Sequence, residues 1–152
     1  MKKTIVLVLL ALSVWAAPYK IGESVTPLDM NDQFGKIVTL KTMPKTLIMA
    51  FEKETSATVN DCLGKQNGTY LSDHHAAYIA DISPMPTFIA EAFALPKMRK
   101  YPYTVLLIRD EETGLKFPAQ EGKITVLRFE NNTLKAIEYV ATADELKAAI
   151  EQ

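Results

Sequence analysis

Three groups of side chains in this sequence have the types that chemistry requires: the single thiol of Cys62, the run Asp73-His74-His75, and the hydroxyls of Thr55, Ser56 and Thr58. Cys62 is the one nucleophile suited to attacking a peroxide or a disulfide, and it would do so as the thiolate. A thiol reaches that state at the start of a helix or beside a cation. Cys62 instead follows helix-forming residues by a turn or more and shares a face with Val59 and Leu63, the pattern of a small core residue. A one-cysteine peroxidase or thiol-dependent oxidoreductase built on Cys62 is the alternative reading. His74 and His75 are the candidate metal ligands, with Asp61 or Cys62 as further donors nearby in sequence. Adjacent side chains leading into a strand point to opposite faces, and closed metal sites usually show three or four ligands, so a structural or solvated pair is favoured. Thr55, Ser56 and Thr58 lie where an open helix start could hold an anion or a small polar ligand. Helix capping explains the same residue types.

Composition narrows the partners. The chain has 152 residues, 48% of them hydrophobic, with 17 Lys and Arg against 18 Asp and Glu, the profile of one globular domain. No run of basic residues offers the footprint that a phosphate backbone demands, so nucleic acid is not expected. A lone cysteine forms no internal disulfide and no CxxC redox pair or cysteine zinc site. No G-x-G-x-x-G follows an apolar strand, so no dinucleotide, and indeed no cofactor, is expected.

The elements that must position these groups follow from periodicity. Residues Tyr19 to Leu40 read as two extended pieces around the turn Asp32-Gln33-Phe34-Gly35-Lys36. Thr46 to Phe51 is a short apolar run suited to a strand buried on both faces of a parallel sheet. Ile48 and Ala50 would then face one layer, and Leu47, Met49 and Phe51 the other. A helix is expected over Ala57 to Gln66, a strand over Tyr78 to Ile82, and a helix that opens at Ser83-Pro84, carries the stripe Phe88, Ile89, Ala92, Phe93 and ends by Pro96. Tyr103 to Ile108 reads as a third strand, with a turn at Glu111 to Gly114. Lys123 to Glu130 and Thr133 to Val140 form a hairpin around Asn131-Asn132. Thr142 to Glu145 is a capping box opening a last helix whose core stripe is Ala143, Leu146, Ala149 and Ile150. Strand, helix, strand, helix, strand, hairpin, helix makes a mixed sheet with helices on both faces.

Residues 1–16 have the form of a bacterial signal peptide: Lys2 and Lys3, an apolar stretch, then small residues with the cut placed after Ala16. The stretch is too short for the roughly 20 apolar residues of a membrane span, and no later run supplies one. The expectation is a protein exported to the periplasm, a single domain over residues 17–152, whose partner is an envelope protein or a small ligand.

The motifs Ile21-Gly22-Glu23 through Pro27, Asp32-Gln33-x-Gly35-Lys36 with Leu40, and the strand Thr46 to Phe51 resemble the redoxin and thiol-peroxidase branch of the thioredoxin-like superfamily. Glu54-Thr55-Ser56-Ala57 and the segment from Tyr101-Pro102 to Leu146 are similar to periplasmic thioredoxin-like proteins of the YtfJ type. The resemblance spans Tyr19 to Ile150. It implies an α/β thioredoxin-like three-layer sandwich with an N-terminal β-hairpin extension. It also places the redox CxxC after Phe51, where this chain has Lys53-Glu54-Thr55-Ser56-Ala57-Thr58, and a supporting proline before Ile124, where it has Gly122-Lys123. The peroxiredoxin pattern Pro-x-x-x-Thr-x-x-Cys fails at Thr55 and Val59. Dithiol exchange needs an attacking and a resolving sulfur. The implied role is therefore binding or accessory, without dithiol catalysis.

Overall fold

A computed structural model describes residues 17–25 and 27–152; the signal-peptide reading of residues 1–16 lies outside them. Seven strands form one sheet: β1 Leu28–Asp32, β2 Ile37–Leu40, β3 Thr46–Ala50, β4 Ala76–Asp81, β5 Leu106–Ile108, β6 Ile124–Glu130 and β7 Thr133–Val140. Their order is β2-β1-β5-β4-β3-β6-β7, with β3, β4 and β5 mutually parallel and the outer pairs antiparallel. The helices are α1 Lys53–Leu63, α2 Tyr70–Asp73, α3 Thr87–Ile89, α4 Leu95–Met98, α5 Glu111–Gly114 and α6 Ala143–Ile150. The N-terminal hairpin β1–β2 extends the sheet by pairing Asn31 and Asp32 with Leu107 and Leu106.

Strand β3 is buried along its whole length and divides the core. Ile48 and Ala50 join a cluster with Val59, Cys62, Leu95, Leu146 and Ile150, while Leu47 and Met49 join Met30, Ile79, Phe117, Leu127 and Leu134, as the alternation requires. The two helical layers are unequal. The chain steps from β3 to β4 to β5 in one direction, and right-handed crossovers then put α1 and the α3–α4 segment on the same face. The second face is closed by Val25, Met43 and Phe117, the last reached from the single turn of α5.

Several boundaries differ from expectation for identifiable reasons. Helix α1 starts at Lys53 rather than Ala57, because Glu52 is extended and serves as its N-cap. The helix expected from Ser83-Pro84 starts at Thr87 and runs through Pro96 to Met98. A π-helical turn over Ala90–Ala94 lies just ahead of Pro96, and widening the helix there accommodates the residue that lacks an amide. The same turn rotates the stripe, so Ala90 and Leu95 are buried while Phe88 and Phe93 are exposed. The third core strand is only Leu106–Ile108, since the Gln33 side chain takes the place of a ladder: its Nε2 donates to the Tyr103 carbonyl at 2.9 Å and its Oε1 accepts from the Val105 amide at 2.9 Å. Glu111 to Gly114 is a helical turn capped by the Asp110 carboxylate rather than a plain turn. The β6–β7 hairpin and the Thr142 capping box stand where the sequence puts them. Asn131 and Asn132 both take positive φ, 49° and 65°, which a two-residue turn of type I′ demands.

Candidate functional site

The end of β3 and the start of α1 form the place where the loop after the first core strand meets the loop before β6. Glu52, the N-cap residue, has backbone angles of −135° and 157°, and its carboxylate accepts a hydrogen bond from the Gly122 amide at 2.9 Å. Gly122 sits at φ 72°, a conformation open to glycine and costly for residues with a Cβ. The bond ties together two loops 70 residues apart in sequence.

Thr55, Ser56 and Thr58 lie within the first turns of α1. Thr55 is buried, and its hydroxyl accepts from the Glu52 amide at 3.2 Å while donating to the Glu52 carbonyl at 3.0 Å. Thr58 donates to the Glu54 carbonyl at 3.1 Å. Ser56, half-buried, lies between them, and Tyr78 is buried beneath the helix. Burial pushes the Tyr78 phenol far above its ordinary range, so it is a neutral donor and acceptor at any physiological pH. The Thr55 and Thr58 hydroxyls are thus bonded within the helix start, in the local pattern that Ser and Thr adopt there.

Cys62 lies at the opposite end of α1, seven residues beyond Thr55, or about 10 Å along the helix axis. It is 4% exposed among the apolar cluster beneath α1 and α6. Desolvation raises its pKa, with Glu151 and Asp144 adding to the rise and Lys147 and Lys65 opposing it. The result is a protonated thiol at neutral pH.

His74 and His75 stand after α2, at the end of the sheet where β3 and β4 begin, since Thr46 pairs with Ala76. His74 is half-buried; its Nδ1 is 2.8 Å from the Tyr70 carbonyl and its ring lies 4.5 Å from the Tyr70 ring. His75 is exposed at φ 50°, so the backbone bends at the pair instead of leading straight into a strand. Among the described residues no group of three or more His, Cys, Asp or Glu side chains converges as a metal site would require. Tyr70 links two of the candidates, packing in the cluster that holds Cys62 while its ring lies tilted at 49° against His74. The hydroxyl group, the thiol and the imidazoles therefore occupy three separate places.

Sequence reasoning missed Glu52, Gly122, Asn60 and Gln33. The Asn60 side chain accepts from the Tyr103 hydroxyl at 2.7 Å, and Tyr103 stacks on Tyr101 with ring centres 5.0 Å apart. A polar residue just before a helix is a legible N-cap signal. A glycine just ahead of a strand is an equally legible turn signal. Nothing in the sequence says that the two meet.

No protein-family model matches this chain, and no curated protein does. Solved structures do match in fold. Peroxidoxin BcpB from Mycobacterium tuberculosis superposes with a TM-score of 0.57 at 13% identity, over 87% of this chain and 94% of its own. The thio-disulfide isomerase from Thermus thermophilus gives 0.53 at 19% identity, over 88% and 96%. StoA from Bacillus subtilis gives 0.52 at 12% identity, over 84% and 98%. These likenesses, with the mixed sheet, show that the chain has a thioredoxin-like fold, and its single cysteine lies away from the start of α1.

Proposed function

We propose that this is a periplasmic thioredoxin-fold binding or accessory protein that carries out no dithiol exchange. The observation that carries the reading is the start of α1: no sulfur stands there, the Thr55 and Thr58 hydroxyls bond back to Glu52 and Glu54, and the Glu52 carboxylate closes the junction onto the Gly122 amide. Disulfide exchange proceeds through a mixed disulfide that a second thiol resolves, and the chain holds one cysteine. A peroxidase based on Cys62 would need an exposed thiolate, whereas this thiol is buried and shifted toward protonation. Export rests on the leader-like residues 1–16, with the cut after Ala16 leaving one domain. The purified chain is expected not to accelerate the reduction of insulin disulfides by dithiothreitol above the uncatalysed rate. Turnover comparable to that of an ordinary thioredoxin would refute the reading. Growth of the native bacterium followed by fractionation tests the compartment: the protein should appear in the periplasmic fraction at the mass of residues 17–152.

A further inference from the structure

We propose that the corner formed by the β1–β2 turn and the C-terminal end of α4 is a peripheral docking surface for an anionic lipid bilayer. Gln33, only 1% exposed, pins this turn to the helix: besides its bonds to Tyr103 and Val105, its carbonyl accepts from Arg99 Nε at 3.0 Å, and its side-chain nitrogen lies 3.5 Å from the Met98 carbonyl. The basic residues at the end of α4 are thereby held against a turn that carries Phe34, 63% exposed, and leads into Ile37 at the start of β2, 69% exposed. Lys36, Lys97, Arg99 and Lys100 are all exposed around it. Phe93, 67% exposed, stands in the π-turn four residues before Lys97, and Lys100 follows in the turn after α4.

The charge at this corner is segregated. The sequence from Gln33 to Phe51 and from Ala92 to Ile108 contains no Asp or Glu, in a chain whose net charge is −1. The fold brings the two stretches together, which is why no basic block is visible along the chain. The flanking acids are engaged: Asp32 is buried with its Oδ1 accepting from the Phe34 and Lys36 amides at 2.8 and 2.9 Å, exposed Asp29 accepts from the Thr39 hydroxyl at 2.6 Å, and exposed Glu91 pairs with Arg109 at 3.1 Å. The apolar side chains of Phe34, Ile37 and Phe93 stand out from the hairpin turn, the start of β2 and the π-turn. That shape suits shallow insertion of aromatic and aliphatic groups at the headgroup boundary, with lysines drawn to anionic headgroups around them. Nothing in this inference depends on the absence of dithiol exchange, so the two readings fail separately.

The test uses residues 17–152, which contain every strand and helix described and omit the apolar leader. Sedimentation with vesicles of phosphatidylcholine alone is compared with vesicles in which phosphatidylglycerol replaces part of it. Binding is expected only to the second kind, falling as salt rises from about 0.05 to 0.5 M. Combining Lys97→Glu with Lys100→Glu should weaken it about tenfold or more. Phe34→Ser with Ile37→Ser, which leaves the charge unchanged, should weaken it severalfold. All four positions are exposed, so circular dichroism should match the parent. Equal binding to both vesicles, binding to neither, or variants that bind like the parent would overturn the proposal. So would retention on heparin without vesicle binding, which would assign the cations to a soluble polyanion.

Discussion

Glu52 and Gly122 are joined by a hydrogen bond from the Gly122 amide to the Glu52 carboxylate, 2.9 Å long, between the cap of α1 and the loop ahead of β6. The same two loops would hold the CxxC and its supporting proline in a redox-active member of the resembled branch. A carboxylate on a backbone amide now makes the connection. Glu52→Ala should therefore loosen the junction and lower stability by about 1 kcal/mol, the scale of one partly exposed charge-assisted bond. Gly122→Ala should cost about 1 to 2 kcal/mol for a separate reason, the strain of a Cβ at φ 72°. Denaturant midpoints of the two variants and the parent check both values.

Strand β3 supplies a sharper stability test. Ile48 and Met49 are each 0% exposed and face opposite clusters. A carboxylate at either position would be an unpaired charge without solvent, costing about 3 to 5 kcal/mol or more against the roughly 5 to 15 kcal/mol that holds a domain of this size. Ile48→Asp and Met49→Asp should both melt far below the parent or fail to fold. Lys53→Asp, exposed at the start of α1, should change the melting temperature little. Retention of the parent melting temperature by both core variants would show that β3 is not buried on two faces.

The contrast between β3 and α4 shows what the sequence could convey. Five apolar residues after Pro44 leave few options for Thr46–Ala50, and two asparagines between alternating strands leave few for the β6–β7 turn. The helix through Pro96 was not legible, because proline normally ends a helix and the π-turn that rescues it has no residue signature. The α-helical period that puts Phe88, Ile89, Ala92 and Phe93 on one stripe is interrupted by the π-turn. The candidate site was legible by position alone: Thr55, Ser56 and Thr58 do open α1, yet the Glu52–Gly122 bond beside them depends on tertiary packing. The His74-His75 bend likewise depends on a positive φ that no local pattern announces.

Arg128 should prove essential to the docking of α6. Its guanidinium donates to Thr46 Oγ1 at 2.9 Å, to Glu138 at 3.1 Å, to the Ala149 carbonyl and to Gln152 Oε1 at 3.2 Å. It therefore joins β3, β6, β7 and the end of the last helix, where a cation also meets the negative end of the helix dipole. Arg128→Met keeps the apolar stem and removes the fork, at an expected cost of about 2 kcal/mol. Hydrogen exchange should accelerate first in Ala143–Ile150.

Acid should act through the caps. The Ala141 and Thr142 amides, donating at 2.7 and 3.3 Å, hold the Glu145 carboxyl below the ordinary carboxylate range, and the Thr113 amide does the same for Asp110. A carboxyl whose folded pKa is depressed stabilises the fold above its unfolded pKa. That contribution is lost as pH falls through the folded value. Melting temperature should therefore decline below about pH 4.5, and Glu145→Gln should flatten part of the decline while lowering stability at neutral pH. An unchanged slope in the variant would remove Glu145 from the account.

Cys62 decides between a structural and a reactive thiol. Burial at 4% exposure and the upward shift of its pKa both suppress the thiolate, and the basic neighbours Lys147 and Lys65 do not reverse the desolvation. An alkylating reagent at pH 7.5 should modify the native protein slowly and the unfolded protein rapidly, with the native rate still rising above pH 9. Because the unfolded thiol ionises first as pH climbs, the folded state should also lose stability above that pH. Cys62→Ser would leave a hydroxyl among Val59, Tyr70, Leu146 and Ile150, whereas Cys62→Ala would leave a small void. Both should destabilise, by about 1 to 3 kcal/mol, with serine the worse if its hydroxyl finds no acceptor. A native protein that labels at the unfolded rate with a depressed pH midpoint would instead mark Cys62 as an activated nucleophile, and the peroxidase reading would take precedence.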